Sequence, residues 1–125
     1  MGNGRLFENC KEFMKVKQRD IYLADLNPVQ GSEQAGKRPV VIISGNTMND
    51  NLPICIVCPI SANVKKYPTC VEILPTKTNN LKNISEVLTF QIRAISQNRI
   101  VKKIGHITDA QLAQVIAGLR DIFIY

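Results

Sequence analysis

The segment 28–44, PVQGSEQAGKRPVVIIS, contains glycines and an arginine that could form a binding or catalytic site. Gly31 and Gly36 bracket a polar loop, which ends in Arg38-Pro39 at the start of an apolar run. Glycines let the backbone approach a ligand closely, and a guanidinium offers a fork of donors that suits a phosphate. On these grounds alone, an ordinary surface arginine at a sheet edge explains Arg38 equally well.

Metal and thiol chemistry has few candidate residues in this chain. Cys55 and Cys58 have the C-x-x-C spacing of zinc and redox sites, but they lie within the apolar run ICIVCPI. On a strand, residues three apart point to opposite faces, so the two thiols should diverge. The other candidate ligands are two scattered cysteines and a lone His106, which is more often structural than a general acid. We therefore expect core cysteines, no metal site and no cofactor.

The charge balance points towards a polyanionic partner. Sixteen Lys and Arg residues face ten Asp and Glu residues, which gives a formal net charge of +6 in 125 residues. Such a field favours polyanions, although it does not distinguish RNA from DNA or from an acidic protein. The opening residues lack the apolar core of a secretory signal, and no run approaches the length of a membrane span. A cytoplasmic protein with no membrane partner is the resulting expectation.

Short apolar runs separated by turn residues predict a mainly β fold from residue 20 onward. The predicted strands are DIYLADL, RPVVIIS, ICIVCPI, CVEIL and SEVLTFQI, with a sixth over residues 101–107. RPVVIIS and ICIVCPI are apolar on both faces, as buried strands are. Turn residues separate the strands at 45–51 and 76–83.

The chain ends in a pattern typical of a helix. Thr108 and Gln111 form a capping box, and Leu112, Val115, Ile116, Leu119 and Phe123 follow at helical spacing. Several short strands followed by one helix predict a small SH3-like β-barrel with a C-terminal helix. We place the barrel domain at 18–125 and treat 1–17 as an N-terminal extension with a possible short helix.

The run DIYLADLNPVQGSEQAGKRPVVIIS resembles the opening signature of the MazF/PemK (Kid) family of toxin endoribonucleases from type II toxin–antitoxin systems. CPISAN, QIRAISQNRI and KIGHIT follow in the family's order and spacing, so the resemblance covers about residues 16–125. It implies a CcdB/MazF-like barrel that forms a homodimer and cuts single-stranded RNA at short sequence motifs without a metal. It also implies inhibition by a cognate acidic antitoxin.

The resemblance further implies roles for individual residues. Arg38 matches the family's catalytic arginine, and Ser61 matches the hydroxyl residue that helps to hold the scissile phosphate. Substrate contacts are expected from loop and turn residues, namely Glu33, Gln34, Lys37, Asn46, Asn49, Lys65, Lys66 and Gln91.

One departure from the family pattern concerns proton transfer. Phe90 stands where family members commonly carry an acidic residue before QIR, which leaves Glu86, Glu33 or Arg38 for that role, or else implies weaker activity. Phe90 could also stack on a base, although core packing explains an aromatic residue as well. The alternative function is a non-catalytic or gyrase-poisoning barrel toxin that binds nucleic acid or an antitoxin without cutting, because CcdB toxins poison gyrase on a related barrel.

Overall fold

A seven-stranded antiparallel sheet forms the body of the molecule in the computed structural model, which describes residues 15–27 and 36–124. Neighbouring strands follow the order β4-β5-β3-β2-β1-β7, and β6 also pairs with β3. Two α-helices of the described part complete the fold, α1 between β2 and β3 and α2 after β7. The bounds are β1 Asp20–Asp25, β2 Lys37–Ile42, α1 Asn46–Asn51, β3 Ile54–Ser61, β4 Val71–Ile73, β5 Ser85–Val87, β6 Arg93–Ser96, β7 Ile100–His106 and α2 Asp109–Ile122.

The predicted mainly β fold with a C-terminal helix is confirmed. The path of strands ends at β4 and β7, and within the described ranges these two strands do not pair with each other. The possible N-terminal helix falls mainly on residues 1–14, outside the described residues. The boundary between residues 17 and 18 stays a prediction.

The prediction of one strand over SEVLTFQI is wrong. The strand β5 ends at Val87, and a 3-10 turn over Thr89–Gln91 leads into β6. The strand β2 pairs with one edge of β3, so β5 and β6 share the other edge, one after the other. The turn is fixed by Thr89, whose buried hydroxyl donates to the carbonyl oxygen of Thr69 at 3.1 Å.

The turn predicted at residues 45–51 contains a helix, α1. Its buried residue, Asn49, donates from its side-chain amide to the carbonyl oxygen of Ser44 at 2.8 Å. The side-chain amide of Gln97 donates in turn to the carbonyl oxygen of Asn49 at 2.9 Å. This second contact joins residues that are far apart in sequence, so the local turn signal does not reveal it.

The central strands are apolar on both faces because each face packs on its own cluster. Val40 and Ile42 lie in one cluster, and Val41, between them, lies in the other. Cys55 and Cys58 diverge in the same way, one into each cluster, as predicted. Burial raises the pKa of Cys55 to about 11 and that of Cys58 to about 12, so both thiols stay protonated at neutral pH.

The helix α2 packs on the cluster that contains Val41 and Cys58. The predicted capping box is confirmed, because Thr108 accepts a hydrogen bond from the backbone N–H of Gln111 and the Gln111 side chain accepts one from the backbone N–H of Thr108. Val115 is buried, and Leu112 and Leu119 pack against the cluster. Phe123 does not belong to the buried stripe, because α2 ends at Ile122 and the Phe123 side chain is 74% exposed.

Gly118 of α2 should tolerate no side chain. A Cβ at Gly118 would overlap the carbonyl oxygen of Thr69, which is backbone and cannot move aside easily. Alanine normally stabilises a helix relative to glycine by about 1 kcal/mol, but overpacking costs roughly 1–3 kcal/mol, so we expect Gly118→Ala to lower the free energy of unfolding. Urea unfolding followed by circular dichroism measures the change.

Gly45→Ala separates the clash from the general effect of replacing a glycine. A Cβ at Gly45 has no atom within 4 Å, so only the weaker preference for alanine at the N-cap of α1 should lower the stability of this variant. A Gly118→Ala variant as stable as the parent would contradict the close packing of α2 on Thr69.

Candidate active site

Arg38 lies near the beginning of β2, on the strand that β1 and β3 flank. The last paired residues of β2 and β3 at this end are Val40 and Pro59. Arg38 and Ser61 each lie two residues beyond this pair, so both are at the same end of the two strands. Arg38 is exposed, whereas Ser61 is 9% exposed at the end of β3.

The hydroxyl group of Ser61 is oriented by the loop that follows it. Its Oγ accepts a hydrogen bond from the backbone N–H of Asn63 at 3.1 Å. A serine hydroxyl can accept and donate at the same time, so the O–H of Ser61 remains able to donate. An anionic oxygen in front of Ser61 is a suitable acceptor for that hydrogen.

Glu86 anchors the same loop from the neighbouring strand. It pairs with Ser61 in the β3–β5 register and is 1% exposed. One carboxylate oxygen accepts from the backbone N–H of Lys65 at 3.0 Å, and the other accepts from the backbone N–H of Tyr67 at 2.9 Å. The buried carboxylate thereby fixes the loop between β3 and β4.

We expect Glu86→Gln to destabilise the protein by about 1–3 kcal/mol. Glutamine has only one side-chain oxygen, so one buried N–H of the loop would face an NH₂ group instead of an acceptor. Urea unfolding measures the loss. Glu72→Gln is the control, since Glu72 lies opposite Glu86 in the β4–β5 register but is exposed. Equal stability of the two variants would show that Glu86 does not anchor the loop.

Two concave regions flank the end of β3. Ile60 and Ala62 border a groove of about 600 Å³, whereas Ser61, between them, lines a smaller pocket of about 240 Å³. The described residues that line the groove include Arg38 and no Asp or Glu. Its other cationic residues are Lys82, Lys102 and Lys103, and its floor includes Leu23, Pro39 and Ile104.

The groove is suited to a polyanion by its charge. Arg38 and the three lysines supply the positive charge, although Lys103 also forms an ion pair of 3.3 Å with Asp20. Exposed cations gain most from a ligand that carries several phosphates, because each phosphate contact releases counterions. Arg38 borders this groove, and Ser61 lines the pocket on the other side of the end of β3.

Comparison with known proteins identifies the family of this arrangement. Residues 17–123 match the model of the PemK-like, MazF-like toxins of type II toxin–antitoxin systems. The chain belongs to this family. It is also 43% identical over 102 residues to Endoribonuclease MazF of Staphylococcus saprophyticus subsp. saprophyticus, covering 80% of this chain and 84% of that protein.

Solved structures of MazF proteins share the fold. The crystal structure of MazF from Deinococcus radiodurans has a TM-score of 0.76 at 23% identity, covering 87% of this chain and 96% of that one. The Mycobacterium tuberculosis toxin MazF-mt6 has a TM-score of 0.71 at 23% identity, covering 84% and 96%. A mycobacterial endoribonuclease in complex with its cognate antitoxin has a TM-score of 0.72 at 18% identity, covering 88% and 98%. The resemblance to the MazF/PemK family predicted from the motifs is confirmed.

The structure brings together part of the predicted MazF-like site. Lys65 and Gln91 line the small pocket with Ser61, and Arg38 borders the groove. Lys37 and Lys66 are exposed, at the start of β2 and in the loop after β3 respectively. Glu33 and Gln34 lie outside the described residues.

Asn46 and Asn49 lie at the wrong end of the sheet for this site. They belong to α1, which follows the far end of β2, whereas Arg38 lies near the beginning of that strand, about 13 Å from its last residue at 3.3 Å per residue. Asn49 is fully buried, so the prediction that it contacts substrate is wrong. Asn46 is exposed, but its side-chain oxygen accepts from the backbone N–H of Gln18 at 2.8 Å, which indicates a structural role.

Sequence reasoning missed the residues that the segment 76–83 adds to the groove. Asn80, Lys82 and Asn83 line it, although the sequence indicated only a turn there. The three Asn and two Lys residues of the segment were the available signal. Asn79 holds the segment in place, since its side-chain oxygen accepts from the backbone N–H groups of Thr76 and Leu81 at 2.9 and 3.0 Å.

Metal binding and acid–base catalysis by His106 were the other possibilities considered from sequence. Within residues 15–27 and 36–124, no three His, Cys, Asp or Glu side chains come together as metal ligands would. His106 is the last residue of β7 and is half-buried. Its backbone lies opposite that of Asp20 in the β1–β7 register. None of the helices in the described part is long and apolar enough to cross a membrane.

Proposed function

We propose that this chain is an endoribonuclease toxin that cuts single-stranded RNA at short sequence motifs, without a metal ion. The observation that supports the proposal is that Arg38 and Ser61 lie at the same end of the β2–β3 pair, with Arg38 lining a cationic groove and Ser61 lining a pocket on the other side of the end of β3. The 43% identity to Endoribonuclease MazF and the match to the toxin family support RNA as the substrate.

The proposed chemistry uses the nucleophile that RNA carries. A general base takes the proton of the 2′-hydroxyl group as its oxygen attacks the adjacent phosphorus. The bond from phosphorus to the 5′-oxygen breaks, and a general acid delivers a proton to that leaving oxygen. The products are a 2′,3′-cyclic phosphate and a 5′-hydroxyl end. Because nucleophile and phosphate already belong to one molecule, the enzyme contributes orientation, proton transfer and charge stabilisation.

Arg38 and Ser61 divide the charge stabilisation between them. The guanidinium of Arg38 offsets the charge that builds on the phosphorane, and the O–H of Ser61 donates to a non-bridging oxygen. Glu86 is 1% exposed and both of its oxygens accept from backbone N–H groups, so we assign it to anchoring the loop and not to proton transfer. Glu33 and Arg38 remain the candidates of the three considered from sequence.

We also propose an acidic antitoxin as the inhibitory partner and a cytoplasmic homodimer as the active form. A chain of net charge +6 with a cationic groove suits an acidic segment that folds on binding. Leu52 and Ile54, each more than 40% exposed, leave apolar surface around the start of β3 that a second copy would cover.

The test compares RNA with DNA in EDTA and examines gyrase separately. The protein is incubated in EDTA with a long RNA and with single-stranded DNA of the same sequence, and a gyrase supercoiling assay is run in its own buffer with magnesium and ATP. We expect the RNA to be cut at a few sites, with the DNA intact and gyrase unaffected. Gyrase inhibition with intact RNA would establish the gyrase-poisoning alternative instead.

A further inference from the structure

The small pocket beside Ser61 has the size and lining of a site for one nucleobase. Its volume of about 240 Å³ is below the roughly 300–1,000 Å³ of pockets that hold drug-sized ligands, so a single ring system is the appropriate scale. The lining combines aromatic, amide and cationic side chains, namely Asn63, Lys65, Tyr67, Phe90 and Gln91 together with Ser61.

Two partly exposed aromatic rings form one wall of this pocket. The rings of Tyr67 and Phe90 meet edge to face, with centroids 5.1 Å apart and planes at 80°. Tyr67 is 44% exposed and Phe90 is 46% exposed, so neither side chain is buried in the hydrophobic core. In an edge-to-face pair each ring keeps a face that its partner does not cover, and unpaired RNA bases stack on such faces.

The polar groups of the pocket suit the edge of a base and its phosphate. The side-chain amides of Asn63 and Gln91 each carry a donor and an acceptor, as the hydrogen-bonding edges of bases do. Lys65 adds a positive charge. The hydroxyl group assigned to the scissile phosphate, that of Ser61, lies in the same lining, so a bound base would be adjacent to the cut.

Glu86 holds this lining together from behind. Its carboxylate accepts from the backbone N–H groups of Lys65 and Tyr67, and its strand pairs with that of Ser61. The Glu86 side chain therefore holds the loop that carries Tyr67, one ring of the aromatic wall.

We propose that the Tyr67–Phe90 pocket is a base-binding subsite for the nucleotide next to the scissile phosphate, and that Phe90 contributes to cleavage specificity. The inference rests on the proposed RNA-cleaving function. It gives Phe90, at the position where the family commonly carries an acidic residue, a role in stacking.

The test measures binding apart from cutting. Binding of a short randomised 2′-fluoro RNA, which lacks the nucleophile, is followed by fluorescence anisotropy for the parent, Phe90→Leu, Tyr67→Leu and Phe90→Tyr. We expect each leucine variant to bind on the order of tenfold more weakly, because base–aromatic stacking is lost, and Phe90→Tyr to bind like the parent. Phe123→Leu is the matched control, because Phe123 is exposed and does not line the pocket.

Cleavage of a long RNA, with its products sequenced, separates the two claims. Loss of base preference at one position next to the cut in Phe90→Leu, with circular dichroism unchanged, supports the subsite. Parent-like affinity and an unchanged cleavage profile in both leucine variants would overturn it. A third outcome separates the subsite from the catalytic function. If the parent cuts no RNA but Phe90→Leu binds RNA more weakly than Phe123→Leu does, the subsite stands and the proposed catalytic function fails.

Discussion

Replacing Arg38 by alanine is expected to lower the rate of RNA cleavage by on the order of a hundredfold or more, as removal of one preorganised donor typically does. In the proposed mechanism the guanidinium of Arg38 offsets charge that develops only in the transition state. The loss should therefore appear in kcat more than in KM. Initial rates on one RNA, at substrate concentrations below and above KM, measure both.

Arg120→Ala is the control for general loss of positive charge. Arg120 is exposed in the last turn of α2 and lines neither concave region. Arg38 is exposed at the mouth of β2, so its variant should keep the parent's circular dichroism spectrum. If Arg38→Ala cuts as fast as Arg120→Ala, the assignment of Arg38 is wrong.

An RNA with 2′-deoxyribose at the cut position should resist cleavage completely on the timescale in which the all-ribose RNA is consumed. Removing the 2′-hydroxyl group removes the nucleophile itself, so no binding energy can compensate. The measurement is a time course on two RNAs that differ in this one oxygen atom.

The matched substrate carries the 2′-deoxyribose one nucleotide away from the cut. It should be cleaved like the all-ribose RNA, because its nucleophile is intact. Cleavage of the first substrate at the normal position would require a different nucleophile, such as water, and would refute the proposed mechanism.

The strands could be predicted where the pattern of side chains is set by burial alone. Val40, Val41 and Ile42 are all buried between two clusters, so their run is apolar and unambiguous. The end of β5 was not predictable in this way, because the apolar pattern continues through Leu88. The hydrogen bond between Thr89 and Thr69, twenty positions apart, depends on tertiary structure and turns the chain there.

The candidate site was predictable in its motif residues and not in its supporting ones. Arg38 and Ser61 belong to segments with a family pattern, and the β2–β3 register puts them at the same end of the two strands. Nothing in the sequence around Glu86 indicates that its carboxylate binds the backbone of the loop at 65–67. Asn49 looked like a loop residue because its partner Gln97 lies 48 positions away.

We propose that this chain cuts RNA through the 2′-hydroxyl group of the RNA itself, without a metal ion. The most direct test of this mechanism is the chemistry of the product ends after one long RNA is incubated with the protein in excess EDTA. We expect discrete fragments with hydroxyl groups at their 5′ ends and a cyclic phosphate at their 3′ ends. Polynucleotide kinase should label these 5′ ends without prior phosphatase treatment. Fragments with 5′-phosphate ends, or cleavage that EDTA abolishes, would contradict the mechanism.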